Sequence, residues 1–418
     1  APRLGPRCLD TVVTMGLAFG VPAAACAACV VVALARRVSR AVLGLKRESA
    51  EIEDWVAQYD EEAIEPDLRI FDCHHHLWDF TIHPKLPMPW LVRKLIFFCM
   101  KPNAVGKLFQ EEKTNNTFGR RLPFAARYMA PELLRDIRGR GHGGHRVVGT
   151  VYVECGWQGQ AARPCLKPVG EAAMVAEVNC RHPDVCQAMV AHADLSLGAE
   201  VEPALKAYSE NALVRGIRDG LAYAEDPTIV PAGQKLTMGY AYDAKFREGF
   251  ALLQKYGFVF DSWHYHVNLE AFTDLARSFP QQTMVCDHIG FPLGIGRFDR
   301  QTSMLEWKGL MKKLAAHANV YVKIGGLGMR IIGFGFDERS TPPTSDELAQ
   351  AWGPYVRYTL EIFGVDRCMF ESNFPMDKIS CSYTVLFNAF KKIVAGFPQE
   401  DKRKLFELNA RRVYKIAA

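Results

Sequence analysis

The sequence predicts an α/β fold, a (β/α)8 TIM barrel with an N-terminal hydrophobic helix and a long insertion after its first strand. Three observations lead to it. Short apolar runs bounded by turn residues occur eight times after residue 66, stretches with apolar residues at helical spacing separate most of them, and polar side chains crowd the positions that follow the runs. The 418 residues suffice for one barrel of at least about 250 residues with appendages, so a second large domain is not required.

Composition narrows the class further. With 49% hydrophobic and 23% charged residues, most of the chain has enough apolar surface to fold, which excludes a disordered protein. The 51 basic and 46 acidic residues give a net charge of +5 without a basic stripe, so no nucleic-acid partner is expected. Twelve cysteines are present, and Cys73, Cys155, Cys286 and Cys368 lie in apolar runs. They read as buried free thiols of a reducing compartment rather than a secreted disulfide framework.

Three regions follow one another. Residues 1–47 contain a run, 11–35, without a charged side chain, which as a helix exceeds the roughly 30 Å of a bilayer's hydrocarbon core. Arg36, Arg37, Arg40, Lys46 and Arg47 follow it, so a membrane anchor here leaves the rest of the chain facing the cytosol. The Ala and Gly content and Pro22 suit an organelle-targeting segment as the alternative, and the chain opens on Ala1, as a processed product would. Residues 48–66 are acidic and are expected to be a linker; 67–418 form the barrel domain.

Within the barrel, strands are predicted at 68–73, 147–153, 187–191, 214–217, 258–261, 283–286, 320–324 and 367–370. Helical spacing marks 171–180, 244–256, 269–278, 304–317 and 346–363. Strands alternating with helices pair in parallel through right-handed crossovers, and eight such units close into a barrel. The insertion, 79–146, mixes Trp90, Phe97, Phe98 and Tyr128 with Lys and Arg, as expected of a cap, a homo-oligomer contact or a membrane-facing patch.

Active groups of such barrels sit at the C-terminal ends of strands. Here those positions carry His74–His76, Glu154, His192 and Asp194, Arg218 and Asp219, His264 and His266, Asp287 and His288, Arg330, and then Glu371, Asn373 and Asp377. Side chains alternate along a strand, so His74 and His76 share a face that His75 does not. Two imidazoles on one wall can hold a zinc-like ion, with His266 or His288 as a third ligand and an open position for water. Such an ion suits hydrolysis of a lactone, ester or amide. Arg218 is expected to clamp the carboxylate of a small-molecule substrate, its alternative being a structural ion pair. Lys323 precedes Gly325-Gly326-x-Gly328, which reads better as a covering loop than as a phosphate cradle.

The motifs Phe71-Asp72-Cys73-His74-His75-His76-Leu77-Trp78, Gly216-Ile217-Arg218, Cys286-Asp287-His288-Ile289-Gly290 and Glu371-Ser372-Asn373-Phe374-Pro375 resemble those of the amidohydrolase superfamily, in its amidohydrolase-related branch of barrel lactonases and decarboxylases. The resemblance runs from about residue 66 to 418. It implies metal-ligand roles for His74, His76, His266 and His288, with zinc expected and manganese as the alternative. It also implies an aspartate after the eighth strand, where this chain has Asn373. Three readings of that departure stay open: Glu371 or Asp377 supplies the carboxylate, the reaction needs no metal, or the site only binds. The expected catalytic set is His74, His76, Arg218, His288, Glu371 and Asn373, with Trp78, Tyr265, Arg218 and Arg330 contacting substrate. The expected reaction is hydrolysis, with non-oxidative decarboxylation or a decayed binding barrel as alternatives.

Overall fold

The structure, a computed structural model, describes residues 52–79, 117, 127–141, 143–157, 159–231 and 237–417. The eight runs are eight strands, hydrogen-bonded in chain order: β1 (Ile70–His75), β2 (Val147–Val153), β3 (Ala188–His192), β4 (Val214–Arg218), β5 (Val259–Ser262), β6 (Met284–Cys286), β7 (Val320–Ile324) and β8 (Cys368–Phe370). Each neighbouring pair is parallel. The first and last strands meet at the mouth, where the Asn373 amide donates to the His74 carbonyl at 2.9 Å and the His76 amide to that of Phe374 at 2.8 Å.

Helices α1 (Ala130–Arg138), α2 (Gly170–Arg181), α3 (Glu202–Ser209), α4 (Ala244–Tyr256), α5 (Leu269–Ser278), α6 (Arg300–Ala315), α7 (Ser345–Phe363) and α8 (Tyr383–Ile393) lie between or after the strands. Their starts are set locally. The Asp243 carboxylate accepts from the Phe246 amide ahead of α4, that of Asp299 from Thr302 ahead of α6, and Thr344 forms a capping box with Glu347 ahead of α7.

Two cores result. One fills the barrel, where Phe71, Val151, Val190, Val259, Val285 and Met369 meet Ala410, Val413 and Tyr414 of the C-terminal helical tail. The tail therefore plugs the end opposite the mouth. The larger core lies between sheet and helices and includes Tyr152, Leu205, Phe250, Phe272, Trp307 and Trp352.

Residues 52–66, expected as a linker, instead form a strap packed on the barrel. Ile52, Trp55 and Val56 bury themselves against Ile379, and the Trp55 indole donates to the Arg339 carbonyl at 2.9 Å. Glu53 pairs with Lys378 at 2.6 Å, which also holds Asp136 of α1. Tyr128, expected in a cap, an oligomer contact or a membrane-facing patch, is buried and donates to Asp136. The apolar run 11–35 and Trp90, Phe97 and Phe98 lie outside the described residues; among those described, no helix is long and apolar enough to cross a membrane. The described cysteines are free thiols.

Candidate active site

Along most strands an interior residue is followed two positions later by a polar one at the mouth. Val190 precedes His192, Val259 precedes Asp261, Val285 precedes Asp287, Tyr321 precedes Lys323 and Met369 precedes Glu371, in register with the pleat. In β1 a register shift falls between Asp72 and His75. Phe71 and Cys73 face the interior while Asp72 faces the helices, accepting from the Tyr383 hydroxyl at 3.0 Å. The extra residue turns His74 inward as well. His75 then points outward, its Nε2 2.8 Å from Thr150 Oγ1, and His76 returns to the interior. The shared face expected of His74 and His76 is thus produced by a bulge.

The Nε2 atoms of His74 and His76 lie 3.2 Å apart. His76 Nδ1 is 2.8 Å from the Val153 carbonyl, which can only accept, so the ring proton sits on Nδ1 and Nε2 presents a lone pair. Behind them, Glu371 reaches two rings: Oε2 is 2.9 Å from His74 Nδ1 and Oε1 is 2.6 Å from His288 Nδ1. Burial and the Lys323 ammonium hold His74 well below the usual histidine range, burial and Arg218 do the same to His76, and burial brings His288 down to about 3. All three are therefore neutral at pH 7. Burial, opposed by Lys323 and reinforced by Asp287, pushes the Glu371 carboxyl well above its ordinary range.

Two cations set the surrounding field. Lys323 is fully buried between Asp261 Oδ2 at 2.6 Å and Asp287 Oδ1 at 3.1 Å. Arg218 donates from Nε to Glu154 Oε1 and from a terminal nitrogen to the Glu154 carbonyl, both at 2.8 Å. Its other terminal nitrogen lies 3.7 Å from Asp287. The structural-pair alternative for Arg218 is thus realised, with Glu154 as partner. Burial would raise the Glu154 carboxyl, but the guanidinium outweighs it and brings the group down to about 2. A depressed acid stabilises the fold above its unfolded pKa and loses that contribution as pH falls towards about 2. Glu154→Gln should accordingly lose less stability than wild type between pH 7 and pH 3, read from urea midpoints at the two pH values.

Some expected residues are not brought to this cluster. β5 ends at Ser262 and the chain enters a short turn, His266–Asn268, so the alternation that would carry His266 inward stops. Its Nδ1 accepts from the Leu293 amide at 3.1 Å, and it is not among the clustered ligands. Tyr265 donates to the Val230 carbonyl, and Arg330 pairs with Asp337 and Glu338 on the loop after β7. Trp78, Arg218, His288 and Asn373, in contrast, line one cavity with His76. Lys323 and Asp261, absent from the expected set, could have been found by extending the period of two along the inner faces of β7 and β5.

The loops are shaped to seat these groups. His288 and Ile289, at φ of 55° and 51°, open a left-handed turn that an isoleucine adopts only under constraint. The Trp307 indole holds it, donating to the Ile289 carbonyl at 2.7 Å. A Cβ at Gly326 would come within 2.7 Å of His288, and one at Gly325 within 2.3 Å of Glu371. The glycines after β7 therefore serve close packing behind the site.

The donor chemistry fits a divalent metal. His74, His288 and Glu371 offer ligand atoms within 4.8 Å of one another. The His74–His76 nitrogens are spaced as two ligands of one tetrahedral ion would be. Asn373 donates from Nδ2 to Asp377 Oδ1 at 2.8 Å, leaving its carbonyl oxygen as a neutral acceptor. Asp377, raised by burial to about 8, is turned to Asn373 and the Gly328 amide. The cavity above these groups has a volume of about 220 Å³.

A family model described as amidohydrolase matches residues 71–416. The chain is 30% identical over 353 residues to the protein y4mH of Sinorhizobium fredii, an alignment covering 84% of this chain and 99% of that one. It is 25% identical over 256 residues to an L-rhamnono-gamma-lactonase of Scheffersomyces stipitis, covering 55% and 69% of the two chains. Its fold superimposes on a zinc-bound amidohydrolase of Burkholderia multivorans with a TM-score of 0.58 at 19% identity, covering 83% of this chain and 99% of that one.

Proposed function

Because the chain belongs to the amidohydrolase family, we propose that it hydrolyses a lactone or ester of a small molecule, with a divalent metal, zinc or manganese, held at the barrel mouth. The observation that carries this reading is the pair of Nε2 atoms 3.2 Å apart beside the cavity, with the Nδ1 of His76 committed to a carbonyl. His74 and His76 would hold the ion through their Nε2 atoms, with His288 as a further nitrogen donor and Glu371 behind the His74 and His288 rings. When bound, such an ion lowers the pKa of a water towards 7 and polarises a carbonyl.

The chain's own groups supply the rest. Neutral imidazoles bind a cation without first losing a charge-bearing proton, and Glu371 fixes the His74 and His288 rings from behind. Arg218, already neutralised by Glu154, keeps one terminal nitrogen for a carbonyl oxygen, which it can polarise as charge develops there. Asn373 is an acceptor that orients an incoming hydroxyl but cannot take its proton. The lactonase-like relative from Scheffersomyces stipitis supports an ester substrate over an amide.

The test is a metal assay on the purified chain with a lactone panel followed by pH-stat. About one zinc or manganese per chain and acid release from lactones is the expected result. Metal-dependent CO₂ release from aromatic acids, without lactone turnover, would replace this reading by decarboxylation.

A further inference from the structure

Resting on the lactonase reading, the cavity points to a substrate class: we infer that the site takes a lactone or ester fused to an apolar ring, rather than a polyhydroxylated sugar lactone. Among the described residues, Arg218, Asn373, His76 and His288 bring the strongly polar side chains to the cavity, and each has one side already committed within the protein. Arg218 spends Nε and one terminal nitrogen on Glu154, Asn373 its amide nitrogen on Asp377, His76 its Nδ1 on Val153, and His288 its Nδ1 on Glu371.

With the remaining His76 and His288 nitrogens given to the ion, one guanidinium nitrogen and one amide oxygen of these four side chains are left for the substrate. That number serves one ester group and its attacking water. A sugar lactone brings several further hydroxyls, each needing a partner once buried. The rest of the described lining supplies few: Phe291, Met329 and Met376 carry no N–H or O–H in their side chains, Trp78 and Trp263 carry one N–H each, and the Cys155 thiol donates to the Leu77 carbonyl at 3.1 Å. Flat rings and thioethers instead match the face of an aromatic or alicyclic ring.

A volume of about 220 Å³ admits a one- or two-ring molecule. In the reaction the acyl carbon–oxygen bond of the ring breaks, water's oxygen joins the acyl carbon and one of its protons goes to the ring oxygen. The product is a hydroxy acid, which releases a proton at neutral pH.

The experiment compares kcat/KM of the metal-loaded full chain for 3,4-dihydrocoumarin and L-rhamnono-γ-lactone, alongside calorimetric binding of 2-tetralone and L-rhamnose. Dihydrocoumarin should lead by about 100-fold or more, the scale on which buried polar groups left unpaired discriminate substrates. In Met376→Gln, which adds an amide to the wall, the lead should shrink. Equal or reversed preference between the two lactones overturns the inference. If neither is hydrolysed, the hydrolytic reading fails separately and binding decides: tighter 2-tetralone sustains the apolar site, and tighter rhamnose overturns it.

Discussion

His76→Ala is expected to abolish stoichiometric metal binding and lower kcat/KM for lactones by about 10³-fold, since several kcal/mol of charge stabilisation leave the transition state with the ion. The fold should survive. His76 stands past the end of β1, and its loss leaves only the Val153 carbonyl without its partner, a cost of about 1 kcal/mol. The informative control is His75→Ala. His75 is as buried as its neighbours, but the bulge in β1 turns it outward to Thr150, between the sheet and the helices. That variant should lose stability while keeping its metal and its turnover per folded molecule. Metal content by emission spectroscopy, with lactone turnover on the same samples, reads both. Retention of metal and activity by His76→Ala, with loss of both in His75→Ala, would mean that the bulge does not aim these side chains as described.

The contrast between these two neighbours shows what could be read from the chain alone. Alternation told that His74 and His76 share a face, but not which face, because Phe71 and Cys73 would by simple alternation have placed His75 inward. Only the pairing register against β2, set by residues some eighty positions away, reverses that order. The strands themselves were legible, since each is a short apolar run followed by a helix with its own spacing. His266 and Arg330 show the limit. Both follow strands in sequence, yet once the extended backbone ends the period of two no longer says where a side chain points. Their partners, the Leu293 amide and the Asp337–Glu338 pair, come from turns whose course is set by packing. The same holds for Arg218, whose nearest carboxylate in sequence is Asp219 but whose partner is Glu154, 64 positions earlier.

Lys323→Met should be the most destabilising single change at the site. It removes the cation shared by Asp261 and Asp287, which are both fully buried, and breaking such a group from one side costs about 3–5 kcal/mol. The pH dependence identifies the cause. In the wild type, burial is outweighed by the two carboxylates, so the Lys323 pKa is raised in the fold and its contribution is present in full throughout the neutral range. Burial already lifts Asp261 to about 6 even with Lys323 beside it. Without the ammonium, Asp261 rises further above its unfolded value, and Asp287, which Lys323 with His288 and Arg218 holds below its ordinary value against burial, rises too. A raised acid favours the folded state below its unfolded pKa and loses that advantage as pH climbs through its folded pKa. The stability gap between wild type and Lys323→Met should therefore be widest near pH 8 and narrow towards pH 5, where the two carboxyls can take up protons. Lys323→Met/Asp261→Asn removes one of the stranded charges and should recover part of the loss, leaving the Tyr414 hydroxyl, 2.6 Å from Asp261 Oδ2, with an amide oxygen to donate to. Urea midpoints across that pH range measure the gap, and a gap that stays constant with pH would show that Lys323 acts by filling space rather than by charge.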